Sequence, residues 1–258
     1  MKYLLQLGKN VIPILSGHIG GANKLSEIIA DEIDADANIT TATDINGVWS
    51  VDSWATNNGM TIKNAKYIKK VSSKVLNGDE INVESCIKID GLPEQIKVNV
   101  SADKLDAADN ADVLVTYKNI EHDTLVLIPK VLSVGIGCKK DTPMKDIQSL
   151  WDKVCNTYNL DSNAVKQINS IDIKANEAGL IEFASANGYE LHTFSADELN
   201  SLEGRYSTSE FVKSIAGVDC VCERSAVMGA DEKDDSCIIV RKTAENGVTI
   251  AVALKGRL

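Results

Sequence analysis

No apolar run in this chain of 258 residues is long enough to cross a membrane; the longest are strand-sized. The start, Met1-Lys2-Tyr3-Leu4-Leu5-Gln6-Leu7-Gly8, lacks the apolar region and small-residue cleavage site of a secretory signal. Cysteine is sparse: six residues (Cys86, Cys138, Cys155, Cys220, Cys222, Cys237) at irregular spacing, with no Cys-x-x-Cys pair. Neither a disulfide framework nor a structural zinc site is expected, and Cys220-x-Cys222 alone is too little to argue for a metal. Positive charge is short as well. Lys and Arg number 27 against 37 Asp and Glu, a net charge of −10 that argues against nucleic-acid binding. A polyanionic ligand would need cations gathered locally. Lys139-Lys140 is the basic pair placed in a glycine-rich turn, whereas Lys69-Lys70 reads as a solvated face between strands. These shortages point to a cytoplasmic protein with reduced thiols, bound to neither nucleic acid nor membrane.

What is present is ordinary for a globular chain: 44% apolar and 25% charged residues, enough for one to three domains. No internal repeat, low-complexity tract or long linker is visible. One stretch stands out. The apolar run Val11 to Leu15 reads as a strand, and Leu25, Ile28, Ile29 and Ile33 fall at helical spacing. Between them lies Ser16-Gly17-His18-Ile19-Gly20-Gly21-Ala22-Asn23, a strand-to-helix turn. Glycines there let the backbone approach a ligand, and the free N–H groups of the new helix prefer an anion. The alternative is a tight turn with no ligand.

Residues 1–56 read as an N-terminal α/β lobe opening with a hairpin, Tyr3 to Leu15, and carrying a second β-rich run, Asn38 to Asp44. In a parallel sheet both loops would fall at carboxyl ends of neighbouring strands, where ligands bind; Thr40, Thr41 and Thr43 could equally satisfy backbone groups. Residues 57–128 read as a small turn-rich α+β segment, with Asn58-Gly59, Asn77-Gly78 and Asp90-Gly91 separating short β-like runs. His122, between Glu121 and Asp123, reads as a surface loop. Residues 129–258 read as a C-terminal α/β domain with a mixed sheet. The run Leu125 to Val134 is one strand leading into the turn Gly135-Ile136-Gly137-Cys138-Lys139-Lys140-Asp141, with Thr142 as N-cap and Pro143 in the first helical position. Ile147, Leu150, Trp151, Val154 and Tyr158 form one face of that helix. Ser195 with Glu198 and Ser207 with Glu210 are expected capping boxes. Two apolar strands close the chain.

These segments resemble, in order and spacing, the cobalt-precorrin-5A hydrolases of anaerobic cobalamin biosynthesis. The resemblance rests on Ser16 to Asn23, Thr40 to Asp44, Gly135 to Cys138 with Thr142-Pro143, Ser170 to Lys174 with Glu177 to Leu180, Gly217-Val218, Cys222-Glu223-Arg224 and Gly247 to Ala251. It runs nearly end to end and is weakest in the turn-rich middle. Family members carry a longer N-terminal lobe before the Ser-Gly-His loop than the hairpin's length found here. A glycine stands in the family where this chain has Asp141.

The resemblance implies a cobalt-containing tetrapyrrole substrate whose δ-lactone is hydrolysed with loss of acetaldehyde. The cobalt belongs to the substrate and no cofactor is required. His18, with an unperturbed pKa of about 6.5, suits the general base; Asp44 orients it or acts as base itself. The alternative for His18 is packing against the loop or binding a substrate carboxylate. Ser16, Gly20, Gly21, Asn23, Thr41 and Thr43 are candidate substrate-binding residues of the first loops, and Gly137, Cys138, Lys139, Lys140, Lys174, Glu177 and Glu223 of the C-terminal domain. A thiol near a helix N-terminus would have a lowered pKa, so Cys138 is weighed as a nucleophile, although hydrolysis by water needs none. Glu177 and Glu223 start helices, where a carboxylate is favoured structurally. The reading leaves room for a homodimer and for transient contact with neighbouring enzymes of the pathway. Two rivals stand beside it: a non-catalytic tetrapyrrole-binding or channelling protein, and a nucleotide site. Against the second, no Gly-Lys-Ser/Thr follows the first loop and no GxGxxG marks the second.

Overall fold

The computed structural model describes residues 3–7, 10–15, 22–37, 48–101, 110–232 and 234–256, with backbone alone for 3–7, 13–15 and 22–24. Contacts divide the chain into two compact units, Met1–Thr116 with His122–Leu127 and Tyr117–Glu121 with Ile128–Leu258.

In the first unit, β1 (Tyr3–Leu7) and β2 (Asn10–Leu15) form the expected antiparallel hairpin. Helix α1 (Ala22–Glu32) leads to the short β3 (Asp36–Ala37), which pairs with β2 in parallel. Next come α2 (Val51–Asn57), β4 (Thr61–Ile62), α3 (Ile68–Asn77), β5 (Ile81–Ser85), β6 (Ile96–Val100), β7 (Val113–Val115) and β8 (Leu125–Ile128). Their sheet runs β4-β8-β7-β5-β6, and the β5–β6, β5–β7 and β7–β8 pairs are all parallel. The turn-rich segment thus holds a sheet whose β5–β6, β5–β7 and β7–β8 neighbours are joined by crossovers. Strands β7 and β8 explain why: every residue in them is buried, the unbroken apolar pattern of strands covered on both faces. Val51 and Ala55 of α2 join the core of this sheet with Val71, Val75, Ile81 and Val83. Lys69 and Lys70 lie exposed on α3, between β4 and β5, with Val71 and Val75 buried on the other side of the helix. A left-handed Gly78 closes that helix.

The second unit starts by cutting one apolar run in two. Pro129 and Lys130 separate β8 from β9 (Leu132–Cys138). Then follow α4 (Met144–Tyr158), β10 (Val165–Ile171), α5 (Ala178–Asn187), β11 (Glu190–Phe194), α6 (Ala196–Asn200), α7 (Glu210–Ala216), α8 (Val221–Gly229), β12 (Ile238–Glu245) and β13 (Val248–Leu254). The sheet order is β11-β10-β9-β13-β12. Strands β9, β10 and β11 are parallel, while β13 runs antiparallel to β9 and β12 antiparallel to β13, giving the expected mixed sheet. The β12–β13 turn is Asn246-Gly247, both at positive φ (50° and 82°), as a two-residue hairpin demands.

Gly135-Ile136-Gly137-Cys138 is strand, not turn. Glycine is needed at 135 because α8 packs on β9 so closely that a Cβ would strike the Cys222 carbonyl oxygen. Buried polar groups lock this contact. The Ser133 hydroxyl donates to the Ala226 carbonyl (2.6 Å), and the Asn169 amide donates to Ser133 Oγ (2.9 Å). The N-cap of α4 is Pro143, one residue later than expected. The Thr142 hydroxyl instead donates to the Lys139 carbonyl (2.8 Å). The Ser195–Glu198 capping box forms as expected. Ser209, not Ser207, caps α7.

Candidate functional site

A cavity of about 1000 Å³ opens in the C-terminal unit where β9 and β10 end, closed on the far side by the β12–β13 turn. Its position follows from topology. Beyond the carboxyl end of β9 the chain turns away into α4, and the neighbouring strand β13 runs in the opposite direction. The crevice left at such a reversal is where open α/β sheets take ligands.

Six of the residues singled out in the sequence line this cavity: Gly137, Cys138, Lys139, Lys140, Lys174 and Glu177. Their arrangement is held by Glu177. Its carboxylate accepts from the Lys174 ammonium at 2.7 Å, in a pair whose side chains are only 14% and 8% exposed, and from the backbone N–H groups of Asp141 and Thr142. Burial is the largest influence on its pKa and pushes it up. The bonded Lys174 ammonium and the two amides outweigh it, so the net pKa is lowered and the group stays a carboxylate. Glu177 is thus a tie between the start of α5 and the loop after β9. Gly179 allows the approach, since a Cβ there would meet the Thr142 carbonyl oxygen. Asp141 takes a left-handed backbone, φ 59°. Glycine reaches that region without strain, and Asp is among the few other residues that tolerate it.

Cys138 ends β9 and does not sit on a helix N-terminus. Burial raises its pKa, with the Lys174 charge opposing, so the lowered pKa of an activated thiol is absent. Cys220 and Cys222 also border the cavity, with their sulfurs 3.8 Å apart. The hydrogen bond from Cys222 favours ionisation of Cys220 and leaves Cys222 protonated, its pKa well above normal. Among the described residues no group of three or more His, Cys, Asp and Glu side chains is placed to hold a metal ion.

Glu223 does not line this cavity. It is fully buried, and its carboxylate accepts from Ser207 N–H (2.7 Å), Ser207 Oγ (3.1 Å) and Lys242 N–H (3.0 Å). Ser207 is spent on this bond, which is why it does not cap α7. Arg224 pairs with Asp219 at 2.7 Å beside it. The remaining sequence candidates, Ser16, His18, Gly20, Gly21, Thr41, Thr43 and Asp44, lie outside the described residues, as does the side chain of Asn23.

The structure adds residues that sequence reasoning passed over. Lys242, on β12, brings a further cation to the cavity. No ion-pair or hydrogen-bond partner is found among the described residues for the ammonium groups of Lys139, Lys140 and Lys242. Glu245 is drawn to Lys153 (2.5 Å) on the outside. The walls are apolar: Ile171, Ile173, Phe211, Ile215 and Val221.

Three family models match the chain along its length: cobalamin synthesis G N-terminal over residues 4–44, cobalamin biosynthesis central region over 49–129, and cobalamin synthesis G C-terminus over 132–253. The chain is similar to a cobalt-precorrin-5A hydrolase of Priestia megaterium, at 34% identity covering 96% of this chain and 69% of that protein. It is also similar to one of Salmonella typhimurium, at 29% identity covering 96% and 72%. Among solved structures, a cobalamin biosynthesis protein G homologue from Sulfolobus solfataricus matches with a TM-score of 0.41 and 24% identity, over 96% of this chain and 71% of that one.

Proposed function

Because this chain belongs to the cobalt-precorrin-5A hydrolase family, we propose that it opens the δ-lactone of cobalt-precorrin-5A and releases acetaldehyde, leaving cobalt-precorrin-5B for the later steps of cobalamin biosynthesis in the cytoplasm. One observation supports this reading above the others. In a chain of net charge −10, an apolar-walled cavity is lined by Lys139, Lys140 and Lys242, whose ammonium groups have no ion-pair partner among the described residues, with the Asp141 carboxylate also at its border. A flat macrocycle edged with acetate and propionate groups matches that combination. Apolar walls take the ring, and ammonium groups at the rim take the carboxylates.

The reaction has two parts. A base removes a proton from water as it attacks the lactone carbonyl, and hydrogen-bond donors hold the oxyanion. The ring-opened product carries a carboxylate and an alcohol on the former bridging carbon. Loss of the alcohol proton then breaks the carbon–carbon bond to the macrocycle. Acetaldehyde departs and the electron pair passes into the conjugated ring. The cobalt arrives with the substrate, so the chain need supply no ligand to it. We assign the base to His18, oriented by Asp44, with Ser16, Gly20, Gly21, Asn23, Thr41 and Thr43 contacting substrate. The buried Lys174–Glu177 pair is spent on structure and is a poor proton carrier.

The test is an anaerobic assay of the purified chain with cobalt-precorrin-5A and a trap for the aldehyde. Turnover is expected, with His18→Ala reducing it at least a hundredfold and Asp44→Asn by less. A perturbed chromophore spectrum with no aldehyde would make the chain a tetrapyrrole carrier. Full turnover by both variants would take the first loop out of the chemistry.

A further inference from the structure

Three large apolar side chains stand out of the described surface more than any others: Phe211 at 70%, Ile215 at 63% and Ile173 at 60% exposure. All three border the same cavity. Exposed apolar side chains scattered singly need no explanation, but three converging on one mouth do.

The helix that carries two of them is built with two apolar stripes. On α7, Val212 and Ala216 face inward and pack against buried Ile171, Leu199, Val218 and Val221. Phe211 and Ile215, also four residues apart, form a second stripe that is exposed among the described residues and borders the cavity. No residue of α7 is fully buried. A helix that needed only to complete the core would carry polar side chains on that second stripe. Nearby, Lys139, Lys140 and Lys242, unpaired among the described residues, supply positive charge to the same space.

We propose that Phe211 and Ile215 form a ledge on which one face of the substrate's macrocycle lies, with Ile173 bordering the same space, and that this ledge selects a flat conjugated ring over smaller lactones. The proposal rests on the functional reading above and names the contact that reading leaves open. The rim lysines pair with the carboxylates carried on the ring's periphery. The ledge covers part of the conjugated ring's face, beside the central cobalt. An aromatic ring laid flat on a conjugated macrocycle gains stacking beyond simple burial. The occupant is thus set by charge and shape together: an apolar disc with an anionic edge.

The experiment titrates the full chain with cobyrinic acid, a stable cobalt corrinoid carrying free carboxylates, and follows its visible absorption. Phe211→Ala with Ile215→Ala is expected to weaken binding on the order of tenfold or more. Phe211→Trp, which keeps a flat aromatic surface, should bind within about threefold of the unchanged protein. Because both side chains are mainly in solvent, the double variant should keep its thermal midpoint. It should also keep the salt dependence of binding, which belongs to the lysines; a fault in folding would move both. With cobalt-precorrin-5A the double variant should show raised KM and little change in kcat. If the unchanged protein binds the corrinoid and the double variant binds it equally well, the ledge is wrong and the functional reading stands. If the unchanged protein binds no corrinoid and the double variant turns over cobalt-precorrin-5A with an unchanged KM, the ledge is wrong; the functional reading falls only if the unchanged protein releases no aldehyde.

Discussion

Glu177 shows what a single buried carboxylate does in this molecule. It joins Lys174, the loop after β9 and the start of α5, and its negative charge is stabilised by an ammonium and two amides. Glu177→Gln removes the charge and keeps the shape, so Lys174 is left in a mainly buried place without its partner. The expected loss is about 2 kcal/mol of folding stability, read as a fall in the urea midpoint. The pH dependence has a definite sign. The folded pKa lies below the unfolded one, so the contribution is complete above the ordinary glutamate pKa of about 4.3. It is lost as pH falls through the lower folded value. The gap between wild type and Glu177→Gln should therefore close on acidification and stay constant above neutrality. Cys138 gives a second outcome at this scale. Its raised pKa predicts alkylation by iodoacetamide at pH 7.5 more slowly than an unstructured cysteine peptide. Cys155, pushed up to about 12, and Cys237, pushed up to about 11, should lag as well. Fast, selective labelling of Cys138 would restore it as a reactive thiol.

At the scale of elements, small residues set the spacing of the site. Gly179 lets α5 begin against the Thr142 carbonyl, and that contact places Glu177. Gly179→Ala should cost about 2 kcal/mol by overpacking, and it should weaken the Glu177 tie because α5 must retreat. Measured together with Glu177→Gln, the two losses should be less than additive, since each undoes the same contact. Glycine also explains where the sequence misled. Gly135 and Gly137 look locally like a turn, and nothing nearby says otherwise. Their actual reason, the close passage of α8 over β9, involves a helix more than eighty positions later in the chain. Periodic elements such as α4, with Ile147, Leu150, Trp151 and Val154 on one buried face, were legible because their reason is local. Parallel pairing in the middle sheet was hidden for the opposite cause: a turn signal marks that the chain bends, not which strand it meets next. The second stripe of α7 could have been noticed. Phe211, Val212, Ile215 and Ala216 carry more apolar surface than one face of a short helix can bury.

For the whole molecule the governing fact is charge. Lys139, Lys140, Lys174 and Glu177 were named from the family resemblance as substrate-binding candidates together with Glu223, and of these Glu223 does not line the cavity. Lys242 was not named, since only the antiparallel return of β12 and β13 brings it across the sheet. The net charge of −10 repels a polycarboxylate at long range, while the ammonium groups of Lys139, Lys140 and Lys242, which have no partner among the described residues, attract it within the cavity. Screening separates these effects. At 0.1 M salt the Debye length is about 10 Å, so distant repulsion is already damped and local attraction still counts. Raising salt from 50 to 500 mM should therefore weaken cobyrinic acid binding by the unchanged protein. In Lys139→Ala/Lys140→Ala/Lys242→Ala the attraction is gone and the acidic remainder dominates, so binding should be weaker at low salt and improve as salt rises. A reversal in the sign of the salt dependence cannot come from a general loss of fold, which would weaken binding at every ionic strength. If the unchanged protein showed no salt dependence at all, the lysines would not be holding carboxylates, and the cavity would have to recognise its ligand by its apolar walls alone.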